Sequence, residues 1–146
     1  MHTAFRSVLI ATFVAGLVLA GTLAFGHGIA SSNILDSATP QGSSRKVIVK
    51  GTFTPGSEPA VGVDCGPAAG RPVLVVDETT STTFATHKPT GAGGVYDSKT
   101  KSPNQGKFTP GSHTVHTVIQ GAVGGPYGGS HPCLDAVSNS RSVRIR

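Results

Sequence analysis

The chain carries six histidines, seven acidic residues and two cysteines, and any chemistry must come from how these are spaced. His113-Thr114-Val115-His116 invites a metal reading. Its β-branched residues mark it as a strand, however, and residues three apart on a strand point to opposite faces. Both rings could not easily hold one ion. A zinc site needs three or four converging ligands, and His87 and His131 fall in or near loops. Asp64, Asp77, Glu78, Asp97 and Asp135 are too dispersed for a carboxylate pair or a calcium loop. Asp77-Glu78 reads as a solvated strand end. No serine stands in Gly-x-Ser-x-Gly. The glycine-rich stretches 91–94 and 124–129 lack the Lys-Ser/Thr and the helix of a phosphate cradle, so they read as turns. No catalytic residue, metal or cofactor is expected, and the chain reads as a protein that is not an enzyme.

Those residues sit in a chain whose N-terminus is distinctive. Residues 7–35 contain no Lys, Arg, Asp or Glu, and 8–25 are almost continuously apolar behind a head with one fixed positive charge, Arg6. A positive head, an apolar body and small residues at the exit are the marks of an export signal. Gly28-Ile29-Ala30 offers the favoured cleavage site, after Ala30, and Thr22-Leu23-Ala24 a second. The rival reading is an uncleaved anchor, because the apolar run falls between a secretory core and a membrane span. The expected organisation is therefore a signal peptide or anchor over 1–30, a flexible leader over 31–45 and one domain over 46–146. The expected location is secreted or at the cell surface, with membrane contact only through 8–25 if that segment is retained.

The domain itself reads as β-structure. Only 13% of the chain is charged and 5% aromatic, with 20 glycines, 10 prolines and no tryptophan. Short strands joined by Gly/Pro turns fit this better than helices. Strands are expected near 46–53, 71–77, 82–87, 94–98, 113–119 and 141–146. Val47, Val49, Phe53, Val115, Ile119, Val143 and Ile145 face inward by period two. Phe-Thr-Pro-Gly-Ser occurs at 53–57 and again at 108–112, which reads as one turn chemistry used twice, with Gly supplying a positive φ. The net charge is +5, but the cations are scattered along the sequence and few aromatics lie among them. A nucleic-acid partner is not expected.

An exported chain with two cysteines is expected to pair them. Cys65 precedes the second expected strand and Cys133 the sixth, so alternating strands put both at the same end of a sandwich. Closing a loop of this size stabilises by about 4 kcal/mol in the chain-entropy picture. An intermolecular link or a catalytic thiol is the alternative, and no Cys-x-x-Cys favours the latter.

From Val47 onward the order of features resembles bacterial extracellular Ig-like and carboxypeptidase-regulatory-like β-sandwich modules. The matching pieces are Val49-Lys50-Gly51-Thr52-Phe53, Gly70-Arg71-Pro72-Val73-Leu74-Val75, Gly94-Val95-Tyr96 and Pro110-Gly111-Ser112-His113-Thr114-Val115. Cys133, Ala136-Val137-Ser138-Asn139 and a final Val/Ile strand complete the order. His113 stands where such modules carry an aromatic. The resemblance implies an all-β, Ig-like antiparallel sandwich of about seven strands with a non-catalytic, structural or adhesive role. Its partner would be a cell-surface or extracellular protein or a glycan, met by the connections 88–94 and 121–132, with Tyr127 and His131 as candidate contacts. A carbohydrate- or peptide-binding secreted protein and a surface-filament subunit that keeps its apolar helix are the alternatives.

Overall fold

Strict alternation of buried and exposed residues organises this chain. In β2 (Val47–Thr54), Val47, Val49, Gly51 and Phe53 are buried and the residues between them are not. The same pattern runs through β7 (Val95–Lys101) and β8 (Gly111–Ile119). The structure, a computed structural model, describes residues 28–101, 107–121 and 131–146. The remaining strands are β1 (Ser32–Pro40), β3 (Ser57–Glu58), β4 (Val63–Asp64), β5 (Leu74–Asp77), β6 (Thr82–Thr86), β9 (Ala136–Val137) and β10 (Arg141–Ile145).

Seven strands follow one antiparallel path, β1-β2-β7-β6-β5-β8-β10, with β9 also paired to β8 and a separate β3-β4 hairpin. β6 and β7 share only the pairs Ala85–Lys101 and Thr86–Thr100. At this narrow join the path turns over, and β1-β2-β7 packs on β6-β5-β8-β10. One core lies between the layers, built from Val47, Val49 and Phe53 on one side and Val75, Val115, Ile119, Val143 and Ile145 on the other. The fold is the expected all-β antiparallel sandwich, and the inward residues are those that alternation assigned.

Residues 31–45 are not the flexible leader expected of them. Ser32–Pro40 is a full strand, hydrogen-bonded along β2 from Ser32–Thr54 to Pro40–Val47. Two physical causes hid it. A register shift between Leu35 and Ser37 breaks period two. One of its two buried residues is polar, Asn33, beside Leu35. The folded unit begins earlier still. Ile29 is 5% exposed and packs with Cys65, Cys133 and Val63. Its N–H donates to Pro132 O at 2.9 Å, and its carbonyl accepts from Leu134 N–H at 2.9 Å.

Tyr96 occupies the centre of the sandwich. Its hydroxyl lies 2.9 Å from Thr117 Oγ1, 3.0 Å from Asn33 Oδ1 and 3.1 Å from Ile34 O. Asn33 Nδ2 donates to Thr117 O and Ala136 O, so four strands meet in one buried polar network. A Cβ at Gly51 would collide with the Ile34 carbonyl and the Tyr96 hydroxyl. Glycine here makes room for the phenol.

The free edge of β1 lies against β10, where no backbone ladder forms. Asn139 fills the gap with its side-chain amide. Oδ1 accepts Leu35 N–H at 2.9 Å and Nδ2 donates to Leu35 O at 3.0 Å. Arg141 Nε donates to the same carbonyl. Burying an edge without partners costs several unsatisfied backbone groups, and this amide supplies two of them.

Candidate functional site

The nearest approach to a catalytic constellation is buried. Asp77 ends β5 and His113 lies near the start of β8, one strand over. His113 Nδ1 is 2.8 Å from Asp77 Oδ2, with both side chains at most 2% exposed. Asp77 is therefore not a solvated strand end, as its sequence position suggested. It caps the turn that follows, accepting Thr79 N–H at 3.0 Å and the Thr80 hydroxyl at 2.6 Å. A strand end reads as solvated when only polarity is weighed, but a carboxylate with three donors around it can be buried.

On the other side of the ring, Nε2 is 3.5 Å from Thr109 Oγ1 and 2.8 Å from the Thr109 carbonyl. An Asp-His-Thr row with these separations looks like a hydrolase triad. The carbonyl decides the matter, because it can only accept. Nε2 therefore carries a proton and donates it to Thr109 O, and it cannot take the proton of the Thr109 hydroxyl. Phe108 packs edge-on against the imidazole at 5.4 Å and stacks on Phe84 at 4.4 Å. The pair locks a corner of the fold and leaves no free base.

His116, three residues on, points to the opposite face as its spacing requires. Nδ1 lies 2.8 Å from Glu78 Oε1, and the Ser140 hydroxyl donates to the same oxygen. These two hydrogen bonds, Ser140's first, hold the Glu78 carboxyl below its ordinary pKa. Serine and histidine here share one acceptor and do not face each other, so the serine is not activated. Among the described residues, no three His, Cys, Asp or Glu side chains gather to hold a metal ion.

Cys65 and Cys133 form a disulfide across 68 residues, with Cα atoms 5.7 Å apart. Both stand at the same end of the sandwich, as strand parity placed them. Arg71 reinforces that end, donating to Cys65 O and Gln120 O and resting 5.6 Å from the Phe53 ring centre. The connection 88–94 is pinned to it. Thr90 Oγ1 donates to Ala68 O at 2.6 Å and accepts Arg71 N–H at 2.9 Å, and Gly94 lies under the Phe53 carbonyl at φ 76°. Of the two candidate contacts, Tyr127 lies outside the described residues. His131 is half-buried, two residues before Cys133.

The second Phe-Thr-Pro-Gly-Ser copy differs physically from the first. Gly111 does take a positive φ, 133°, while Gly56 does not. Gly56 is needed because a Cβ there would strike the Ala30 carbonyl.

Two shallow cavities, of about 300 and 340 Å³, flank the join of β6 and β7, and His87 lines both. His87 is exposed, and residual desolvation together with Lys46, Lys99 and Lys101 lowers its pKa. The sequence places His87 in or near a loop but does not show these cations around it, because they come from separate segments of the chain. Comparison with known proteins finds no matching family model, no similar curated protein and no similar solved structure.

Proposed function

We propose that this chain is an exported, non-catalytic Ig-like β-sandwich module that works outside the cytoplasm in a structural or adhesive role. The observation that carries the reading is the His113 arrangement. A histidine with both nitrogens tied to internal acceptors is used for architecture, and it stands where Ig-like sandwiches use a tyrosine. In those folds a tyrosine near the start of the second-last strand hydrogen-bonds back to the chain a few residues upstream. His113 does the same towards Thr109. The division into β1-β2-β7 and β6-β5-β8-β10 also suits that class.

Export is supported by the disulfide, since oxidising compartments favour such links, and by the apolar run 8–25. Burial of Ile29 bears on where a signal would be removed. Cutting after Ala30 would delete a side chain that covers the disulfide, whereas cutting after Ala24 keeps it. The upstream site therefore suits the fold better. No helix among the described residues is long and apolar enough to cross a membrane.

The test is cell fractionation followed by intact mass, with and without reduction and alkylation. An extracytoplasmic protein starting at Phe25, with no free thiol before reduction, is expected. A cytoplasmic protein with two free thiols would overturn the reading, and an N-terminus at Ser31 would overturn the assignment of the cleavage site. A retained N-terminus in the membrane fraction would favour the anchored or filament-forming alternative.

A further inference from the structure

Cations that are scattered in the sequence come together on one face. Along β7 the exposed positions are Val95, Asp97, Lys99 and Lys101. On β2 the register places Lys50 opposite Asp97 and Ile48 opposite Lys99. Continued one pair further, it sets Lys46 opposite Lys101. The upper half of this face is neutral, because Lys50 Nζ and Asp97 Oδ2 pair at 2.9 Å. The lower half holds Lys46, Lys99 and Lys101, with Lys88 reaching the same cavity from the β6–β7 connection. None of the four is paired with a carboxylate among the described residues. Like charges placed opposite one another across strands are destabilising. His87 lies beside them, its pKa lowered first by desolvation and then by Lys46, Lys99 and Lys101.

We propose that this face binds a linear acidic polysaccharide, with Lys46, Lys88, Lys99 and Lys101 meeting its carboxylate or sulfate groups. The inference rests on the reading of the chain as an extracellular module. The geometry suits a polymer. Same-face residues repeat about every 7 Å along a strand and about every 5 Å across strands, which spreads the cations as a row. The shallow cavity of about 300 Å³ beside them is lined by Lys88 and Lys99 together with His87, Ile48, Ser98 and Asp97. Nucleic acid is disfavoured because every described Phe and Tyr ring is buried, leaving nothing for bases to stack on. A lipid surface is left to the vesicle arm of the test, since Val95 is exposed on the same face of β7 as Lys99 and Lys101.

The experiment measures binding of the folded, disulfide-closed protein to polygalacturonate at low and physiological salt, with His87 ring protons followed by NMR. Binding that weakens with salt is expected, as for any counterion-releasing contact. Lys99→Gln/Lys101→Gln should lose about tenfold or more in affinity. Lys50→Gln, which alters the neutralised half, should change it little. Bound polymer should raise the His87 pKa. Absence of binding at low salt, or equal binding by the double variant, would overturn the proposal. Equal or tighter binding to phosphatidylglycerol vesicles or to poly-glutamate would overturn the saccharide assignment. A protein found cytoplasmic and reduced would sink the module reading without altering polymer affinity, so the two failures are distinguishable.

Discussion

At the scale of single residues, buried polar groups decide more here than apolar ones. Removing one member of the Asp77–His113 pair leaves the other buried without its partner, which costs about 3–5 kcal/mol. Asp77→Ala should therefore shift the urea midpoint strongly. Replacing both members with apolar residues of similar size should recover much of the loss, and a double variant no better than Asp77→Ala would contradict this account. Tyr96 gives a pH test. Burial, the largest cause, raises its pKa above the ordinary phenol value. A raised folded value means its contribution is fully present below the unfolded pKa and is lost as pH rises through the folded one. Stability should fall in alkali beyond about 10, and absorbance should report one of the chain's two tyrosines ionising late. Tyr96→Phe should remove that alkaline loss and cost about 1–3 kcal/mol at neutral pH, because Asn33 and Thr117 lose a buried partner.

At the scale of elements, strands with apolar inward positions were legible and β1 was not. Val47, Val49 and Phe53 announce β2 by alternation alone, and Val143 and Ile145 announce β10. Asn33 carries no such signal, since its burial depends on Thr117 and Ala136 from strands far along the chain. The same limit hid His113, whose partners lie 36 and four residues away and satisfy it only once β5 and β8 pair. It also hid the lysine face, which exists only through the β2–β7 register. Asn139 tests how the sandwich closes. Asn139→Ala leaves the Leu35 N–H and weakens the hold on its carbonyl, so about 1–3 kcal/mol should be lost. Hydrogen exchange should accelerate at Leu35 ahead of β2 amides such as Val49. Uniform acceleration of both would mean that the amide contributes no local closure.

At the scale of the whole molecule, the two ends do different work. One end gathers the disulfide, the Ile29 contact, the Arg71 clasp and the pinned Thr90 connection. The other end carries the turn between β5 and β6 and the Asp77–His113 lock. Cross-links matter most when they bridge long stretches of chain, because loop-closure entropy grows with the length enclosed. Cys65 and Cys133 enclose β5 to β8, at a sequence separation of 68. The expected contribution is about 4 kcal/mol, against a total of about 5–15 kcal/mol for a domain of this size. Reduction should therefore lower the urea midpoint by a large fraction, and Cys65→Ser/Cys133→Ser should reproduce it. Deleting Ile29 in the oxidised protein should cost less than reduction, because Ile29 covers the link without closing a loop. If reduction shifted the midpoint no more than that deletion, the bond would be acting by packing alone. The fold would then owe its closure to the Tyr96 network and the Asn139 bridge.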